Sequence, residues 1–180
     1  MKQTAQQILD VAQDLVRCRG YSAFSYADIS KQVGIRKASI HYHFPTKEDL
    51  AKALVERYRF AFGQKLKQIE ASGAAPDTQL RQFVGLYWDG LSDCQMCLCG
   101  MLSAEIEVLP DAVRAEVRDF LAITQTWLAA TLTNGDRDAE AVVFLASLQG
   151  AQLIAHTAEN SQAAFDGIAL SLLNSVGIDV

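Results

Sequence analysis

Proline is scarce in this chain, with three in 180 residues. Long stretches therefore keep an uninterrupted helical spacing of apolar positions, and β-branched runs with strict alternation are missing. These two absences argue against a sandwich or barrel and predict an all-α chain of about nine helices. No apolar run approaches the roughly 20 residues that a membrane helix needs. The first apolar positions are broken by Gln6, Gln7 and Asp10, so no signal peptide is expected. Only four cysteines occur, which without secretion points to thiols in a reducing cytoplasm, not to a disulfide framework. Positive charge is also short overall, and a net charge of −5 argues against a generic polyanion binder. The deficit is uneven, however. Residues 1–62 carry a net +4 and the remainder a net −9. A basic head on an acidic body suits a protein that meets phosphates with one end.

What is present in the head is a pattern. Ser25 is a good N-cap, with Asp28 in the first helical turn and Ile29 and Val33 as an apolar stripe. Gly34 supplies a turn that a residue with a Cβ makes only under strain. A second short helix points Ile40 and Phe44 inward, and Pro45-Thr46 stops it and caps the next helix. The outward residues are Arg36, Lys37, Ser39, His41, Tyr42 and His43. A short polar-faced helix set at an angle by a glycine turn is what a helix-turn-helix lays in a DNA major groove. Ser25 and Lys47 stand at helix starts, where free N–H groups suit backbone phosphates.

The run from Gly34 to Glu48, GIRKASIHYHFPTKE, resembles the recognition segment of TetR-type transcriptional regulators. Arg19-Gly20-Tyr21, Phe24-Ser25 and Asp28-Ile29 upstream fit the same resemblance, which is specific over roughly residues 4–62. Position 41 is His where the family usually has Tyr, and position 36 is Arg where many relatives cap with Ser or Thr. The resemblance implies an N-terminal DNA-binding domain, residues 1–46, and a C-terminal effector-binding and dimerisation domain, residues 47–180. The implied DNA contacts are Ser25, Tyr26, Arg36, Lys37, Ala38, Ser39, His41, Tyr42, His43 and Lys47.

Along the chain, Thr4 with Gln7 reads as a capping box for a first helix that ends before Gly20. Helices are predicted over 47–71, 77–91, 97–108 and 110–133. Asn134-Gly135 reads as a turn, with Asp136 capping a helix to about Thr157 and Ser161 capping a last one that Gly177 ends. The eighth helix is apolar nearly all round, with Val142, Val143, Phe144, Leu145, Leu148, Leu153 and Ile154. A helix of that kind must be covered on every side. Ala146, Gly150 and Ala151 would let another helix approach closely. Dimerisation through the last two helices is the reading that both this pattern and the resemblance imply.

The body offers a second set of candidates. Phe83, Tyr87, Trp88, Cys97, Met101, Phe120, Trp127, Gln149, Gln152 and His156, with Phe144, describe either an effector pocket or a plain core. Cys94, Cys97 and Cys99 form a cluster with one CxxC, too few ligands for a zinc site, so no metal and no cofactor are expected. Cys97 stands near a helix start, where the dipole favours a thiolate. Cys97 and Cys99 would lie about 200° apart round a helix, so they do not face one pocket, whereas Cys94 and Cys97 can pair in the link. Buried cysteines are otherwise inert core residues. Cys97-Leu98 followed by Leu102-Ser103-Ala104-Glu105 is similar to a Gly-Cys-Leu and Leu-Ser-Ala-Glu segment of TetR-type repressors, some of which respond to electrophiles or oxidants through the cysteine. Met96 replaces the glycine.

The expectation is a repressor that leaves a palindromic DNA operator when a small-molecule or electrophile inducer of unknown identity binds. Two other classes remain beside it. One is a thiol enzyme using Cys97 or Cys99 with His156. The other is a helical dimer that does not bind DNA.

Overall fold

The structure, a computed structural model, describes residues 2–92, 95–133 and 135–179. Among these residues it is all helical: α1 Lys2–Arg19, α2 Tyr26–Val33, α3 Lys37–His43, α4 Lys47–Ala71, α5 Pro76–Ser92, α6 Leu98–Ala104, a 3-10 turn Ile106–Val108, α7 Asp111–Thr131, α8 Arg137–His156 and α9 Ser161–Ser175. No helix among them is long and apolar enough to cross a membrane. Backbone packing divides the chain into two compact units. The first joins residues 1–60 with 98–120, and the second joins 61–97 with 121–180. The first unit thus takes in α6 and the first half of α7 beside the helix-turn-helix segment.

In the first unit, α1 buries Ile8, Ala12, Leu15 and Val16 on one stripe against α2, α3 and α6. It ends where Gly20, at φ +85°, donates its N–H to the Val16 carbonyl. The Thr4–Gln7 capping box is a correction: α1 already begins at Lys2, so Thr4 lies inside the first turns. The start of α2 is fixed by Asp28, whose carboxylate accepts from the Ser25 N–H at 2.8 Å and the Ser25 hydroxyl at 2.7 Å. Gly34, at φ +74°, donates to the Ser30 carbonyl and turns the chain into α3. Thr46 and Asp49 repeat the device at the start of α4. Arg36, at the N-cap of α3, makes no side-chain cap. Ile29 and Ile40 are fully buried, so the helix-turn-helix is pinned from beneath by one apolar residue per helix.

In the second unit, α8 packs against α9 and both pack against α5. Two helix starts are set by side chains that accept backbone N–H groups: Asp136 accepts from Ala139, and Asn160 accepts from Ala163. Asn160, not Ser161, is therefore the cap of α9. The predicted sixth helix is also shorter than expected, stopping at Ala104 and resuming as the 3-10 turn. Cys94 and Asn134 lie outside the described residues. Helix α8 divides cleanly into two faces. Phe144, Leu145, Leu148, Ala151 and Ala155 are buried, whereas Val142, Val143, Leu153 and Ile154 are 49, 61, 52 and 61 % exposed. Half of the all-round apolar helix is thus packed within the chain and half faces out.

Candidate nucleic-acid interface

Helix α3 presents a polar outer face over the buried Ile40. Arg36, Lys37, Ala38, His41 and Tyr42 are exposed, Tyr42 by 72 %, while Ser39 and His43 are half-buried. His43 and Tyr42 meet edge to face at 5.2 Å between centroids. Tyr26 rises from α2 to the foot of this face. Its hydroxyl lies 2.8 Å from the Phe44 carbonyl oxygen and 2.5 Å from that of Thr46. Burial, then the negative charge of Asp49, pushes its pKa up to about 12, so it stays a donor. The Tyr26 ring also lies against His41. Phe24, Ser25, Tyr26, Ala27, Lys37, His41 and Lys47 line an open groove of about 380 Å³. Eight of the ten residues singled out in the sequence thus belong either to this groove or to the exposed face beside it, and the other two are the half-buried Ser39 and His43.

Lys47 departs from its expected part. Its ammonium donates to the carbonyls of Tyr21 and Phe24, both at 2.7 Å, and sits 4.4 and 4.3 Å from the centroids of their rings. Burial holds its pKa below the ordinary lysine value, against the attraction of Glu105 and Asp28. The side chain is a brace inside the head, not a free phosphate clamp. Ser25 departs similarly, since Asp28 already takes both its N–H and its hydroxyl.

Glu105 is the residue the sequence reading missed. From the end of α6 its carboxylate accepts the N–H groups of Tyr21 at 2.6 Å and Ser22 at 2.9 Å. Burial opposes its ionisation, but the bonds from Ser22 and Tyr21 and the charge of Lys47 outweigh it, and the carboxyl is held below its ordinary range. A Cβ at Gly20 would lie 2.1 Å from Glu105 Oε1, so glycine leaves the space that the carboxylate occupies. No local pattern marks this contact. Its only signal is the Leu-Ser-Ala-Glu segment, noted for its cysteine and not for its carboxylate.

The effector candidates divide between the units. Phe83, Tyr87, Trp88, Cys97, Trp127, Gln149, Gln152 and His156 belong to the second, but Met101 and Phe120 belong to the first, where Phe120 packs on Tyr58 at 5.5 Å. Those two share a core with the head. His156 is exposed at the end of α8. In the second unit Phe83 stacks on Trp127 at 5.2 Å and meets Tyr87 at 5.4 Å and Phe144 at 6.3 Å. Gln152, 1 % exposed, accepts the Cys97 N–H at 2.9 Å and donates to the Tyr87 carbonyl at 2.6 Å. The buried Trp127 Nε1 finds no hydrogen-bond partner among the described residues. A buried donor of this kind costs about 1–3 kcal/mol until something accepts from it. Cys97 is buried in this unit, Cys99 is buried in the first, and Cys18 is exposed. Among the described residues no group of three or more His, Cys, Asp or Glu is placed to hold a metal ion.

Comparison with known proteins agrees with this geometry. The family described as "Bacterial regulatory proteins, tetR family" matches residues 8–54. A TetR-family transcriptional regulator of solved structure from Agrobacterium tumefaciens is 36% identical, covers 99% of each chain and superposes with a TM-score of 0.92. The HTH-type transcriptional regulator LmrA of Bacillus subtilis is 27% identical over 165 residues, 87% of this chain and 88% of that protein. The HTH-type transcriptional repressor NemR of Escherichia coli is 26% identical over 158 residues, 84% of this chain and 78% of that one. With a helix-turn-helix whose recognition helix faces outward and a full-length relative above 30% identity, this chain belongs to the TetR family of bacterial transcriptional regulators.

Proposed function

We propose that the protein is a homodimeric repressor that holds a palindromic operator with two α3 helices and releases it on binding a small-molecule inducer. The observation that carries DNA recognition is the exposed polar face of α3, anchored by the buried Ile40 and by Tyr26. Lys37 is fully on that face, with its ammonium available for a guanine edge or a phosphate. Lys37→Ala is expected to weaken operator binding by roughly 1–3 kcal/mol if it reads a base, about 5- to 150-fold, without loss of fold. Gel shifts against the region upstream of the protein's own coding sequence measure this, and an unchanged affinity removes Lys37 from the interface. Residues 1–46 hold the DNA contacts in this reading, and residues from 47 onward serve dimerisation and sensing.

For sensing, the candidate site is the aromatic cluster of Phe83, Tyr87, Trp127 and Phe144 in the second unit. Its open Trp127 N–H favours an apolar molecule that carries a hydrogen-bond acceptor. An inducer must bind more tightly to the conformation that does not fit the operator, since equal affinity for both shifts nothing.

The thiol of Cys97 is the candidate for a covalent form of the same response. Its backbone is tied through Gln152 to α5 and α8, so added bulk at sulfur would disturb both helices of the cluster. With a maleimide, a bond forms between sulfur and one alkene carbon, and the thiol proton ends on the other. Cys97→Ser is expected to bind operator normally and to lose release by maleimide, while Cys18→Ser responds as the wild type. Adduct mapping by mass spectrometry checks it, and operator release with Cys97 unmodified rejects it.

A further inference from the structure

One ring nitrogen of His41 is already committed. Nδ1 lies 3.0 Å from the Pro45 carbonyl oxygen, and a carbonyl oxygen only accepts, so Nδ1 carries the hydrogen. The ring rests against Tyr26 with centroids 4.7 Å apart, and the Tyr26 hydroxyl is tied to the carbonyls of Phe44 and Thr46. Three successive carbonyls of the α3–α4 turn therefore fix both rings. Nε2 is the nitrogen left to meet a ligand. In the neutral ring it offers only a lone pair, and in the imidazolium it donates. The groove it shares with Tyr26, Ala27 and Lys37 brings one cationic side chain, Lys37, beside the ring, while Lys47 is turned into the head. Phosphate oxygens only accept, so a lone pair on Nε2 repels them and a proton there binds them.

We propose that His41 contacts a DNA phosphate only as the imidazolium, so that each head takes up about one proton when it binds duplex. This rests on the assignment of α3 to DNA. The titratable groups that line the groove with the ring are Tyr26 of α2, Lys37 of its own helix and Lys47 of α4, and Asp28 and Asp49 stand in the first turns of α2 and α4. Asp28 and Asp49 are hydrogen-bonded to Ser25 and Thr46, and Tyr26 remains protonated. A phosphate oxygen at Nε2 attracts the imidazolium and repels the lone pair of the neutral ring, so protonation and DNA binding are linked. Binding thus favours the protonated ring. The gain is complete below the titration range of the free histidine and is lost as pH rises through that of the complex.

A phosphate contact does not depend on sequence, so the probe is a random-sequence duplex of about 30 base pairs at low salt. Fluorescence anisotropy is recorded between about pH 5.5 and 8.5, the span over which histidine titrates. The wild type is expected to lose affinity by up to about tenfold per pH unit on the alkaline side for each head engaged, the slope of one proton per head. Of the three histidines, His156 lies at the end of α8, so His156→Gln is the control and should keep the slope. His41→Gln should flatten it. His41→Tyr, which places a hydroxyl donor at the same position, should bind at high pH without it. Calorimetry in buffers of different ionisation heat counts the proton directly. Binding by the wild type with no proton uptake, or a slope that His43→Gln removes and His41→Gln does not, overturns the proposal while leaving the DNA assignment standing. Failure of the wild type to bind any duplex overturns both.

Discussion

Gly150→Arg is expected to turn a dimer into a monomer and to abolish specific operator binding. The outer face of α8 carries Val142, Val143, Leu153 and Ile154 in the open, and Leu170 of α9 is 43 % exposed. Gly150 lies on that helix between them, and a Cβ there meets nothing within 4 Å in the protomer. An arginine therefore costs the fold little. In a two-fold interface it appears twice, because the same patch serves both subunits. A buried charge without a partner costs about 3–5 kcal/mol, which is enough to weaken association by a hundredfold or more. One head alone then binds an operator half-site without the second contact. Sedimentation and gel shift on the same samples check the result. A variant that stays dimeric, or a wild type that is monomeric at micromolar concentration and still binds specifically, rejects the assembly.

Glu105→Ala is expected to destabilise the helix-turn-helix unit by roughly 2–4 kcal/mol, because it removes two hydrogen bonds to a charged acceptor. The Tyr21 N–H is part-buried and has no substitute acceptor of equal strength, whereas the Ser22 N–H is exposed and recovers some of the loss from water. Lys47 also loses the carboxylate that helps to keep it charged among the rings of Tyr21 and Phe24. The pH dependence has a definite sign. The folded carboxyl sits below its ordinary value of 4.5, so its contribution is present above that value and fades as pH falls through the folded one. Glu105→Gln should lack this acid-sensitive part. Thermal melts between about pH 3 and 7 separate the variants. Equal melting temperatures of wild type and Glu105→Ala at neutral pH would reject the brace.

The head was legible because each of its boundaries is written locally. Ser25 with Asp28, Gly34, and Thr46 with Asp49 are caps and turns whose partners lie within a few residues, and α4 runs over the span that its apolar spacing predicts. Where two cap formers stand side by side, as Asn160 and Ser161 do, the pattern leaves the register open by one residue. Glu105 was illegible for a different reason. Its partners lie more than eighty positions away, and a glutamate at the end of a helix is ordinary by itself. Lys47 looked like a phosphate contact because sequence shows a charge but not its direction. Met101 and Phe120 show the same limit for apolar residues. Periodicity says that a side chain is covered, but not by which core.

The interruption of the first unit, residues 1–60 and then 98–120, bears on how the chain is made. A ribosome releases the helix-turn-helix first, but the carboxylate that holds its Tyr21 and Ser22 N–H groups comes much later. At about 5–20 residues per second, the sixty residues from 60 to 120 take roughly 3–12 s to appear. For most of that interval α1 has no α6 to cover its stripe of Ile8, Leu15 and Val16. The newborn head is thus exposed to chaperones and proteases before it is complete. An expression fragment or domain graft that ends at residue 60 would preserve this unfinished state permanently, so a transplantable DNA-binding module from this chain has to carry the second segment with it.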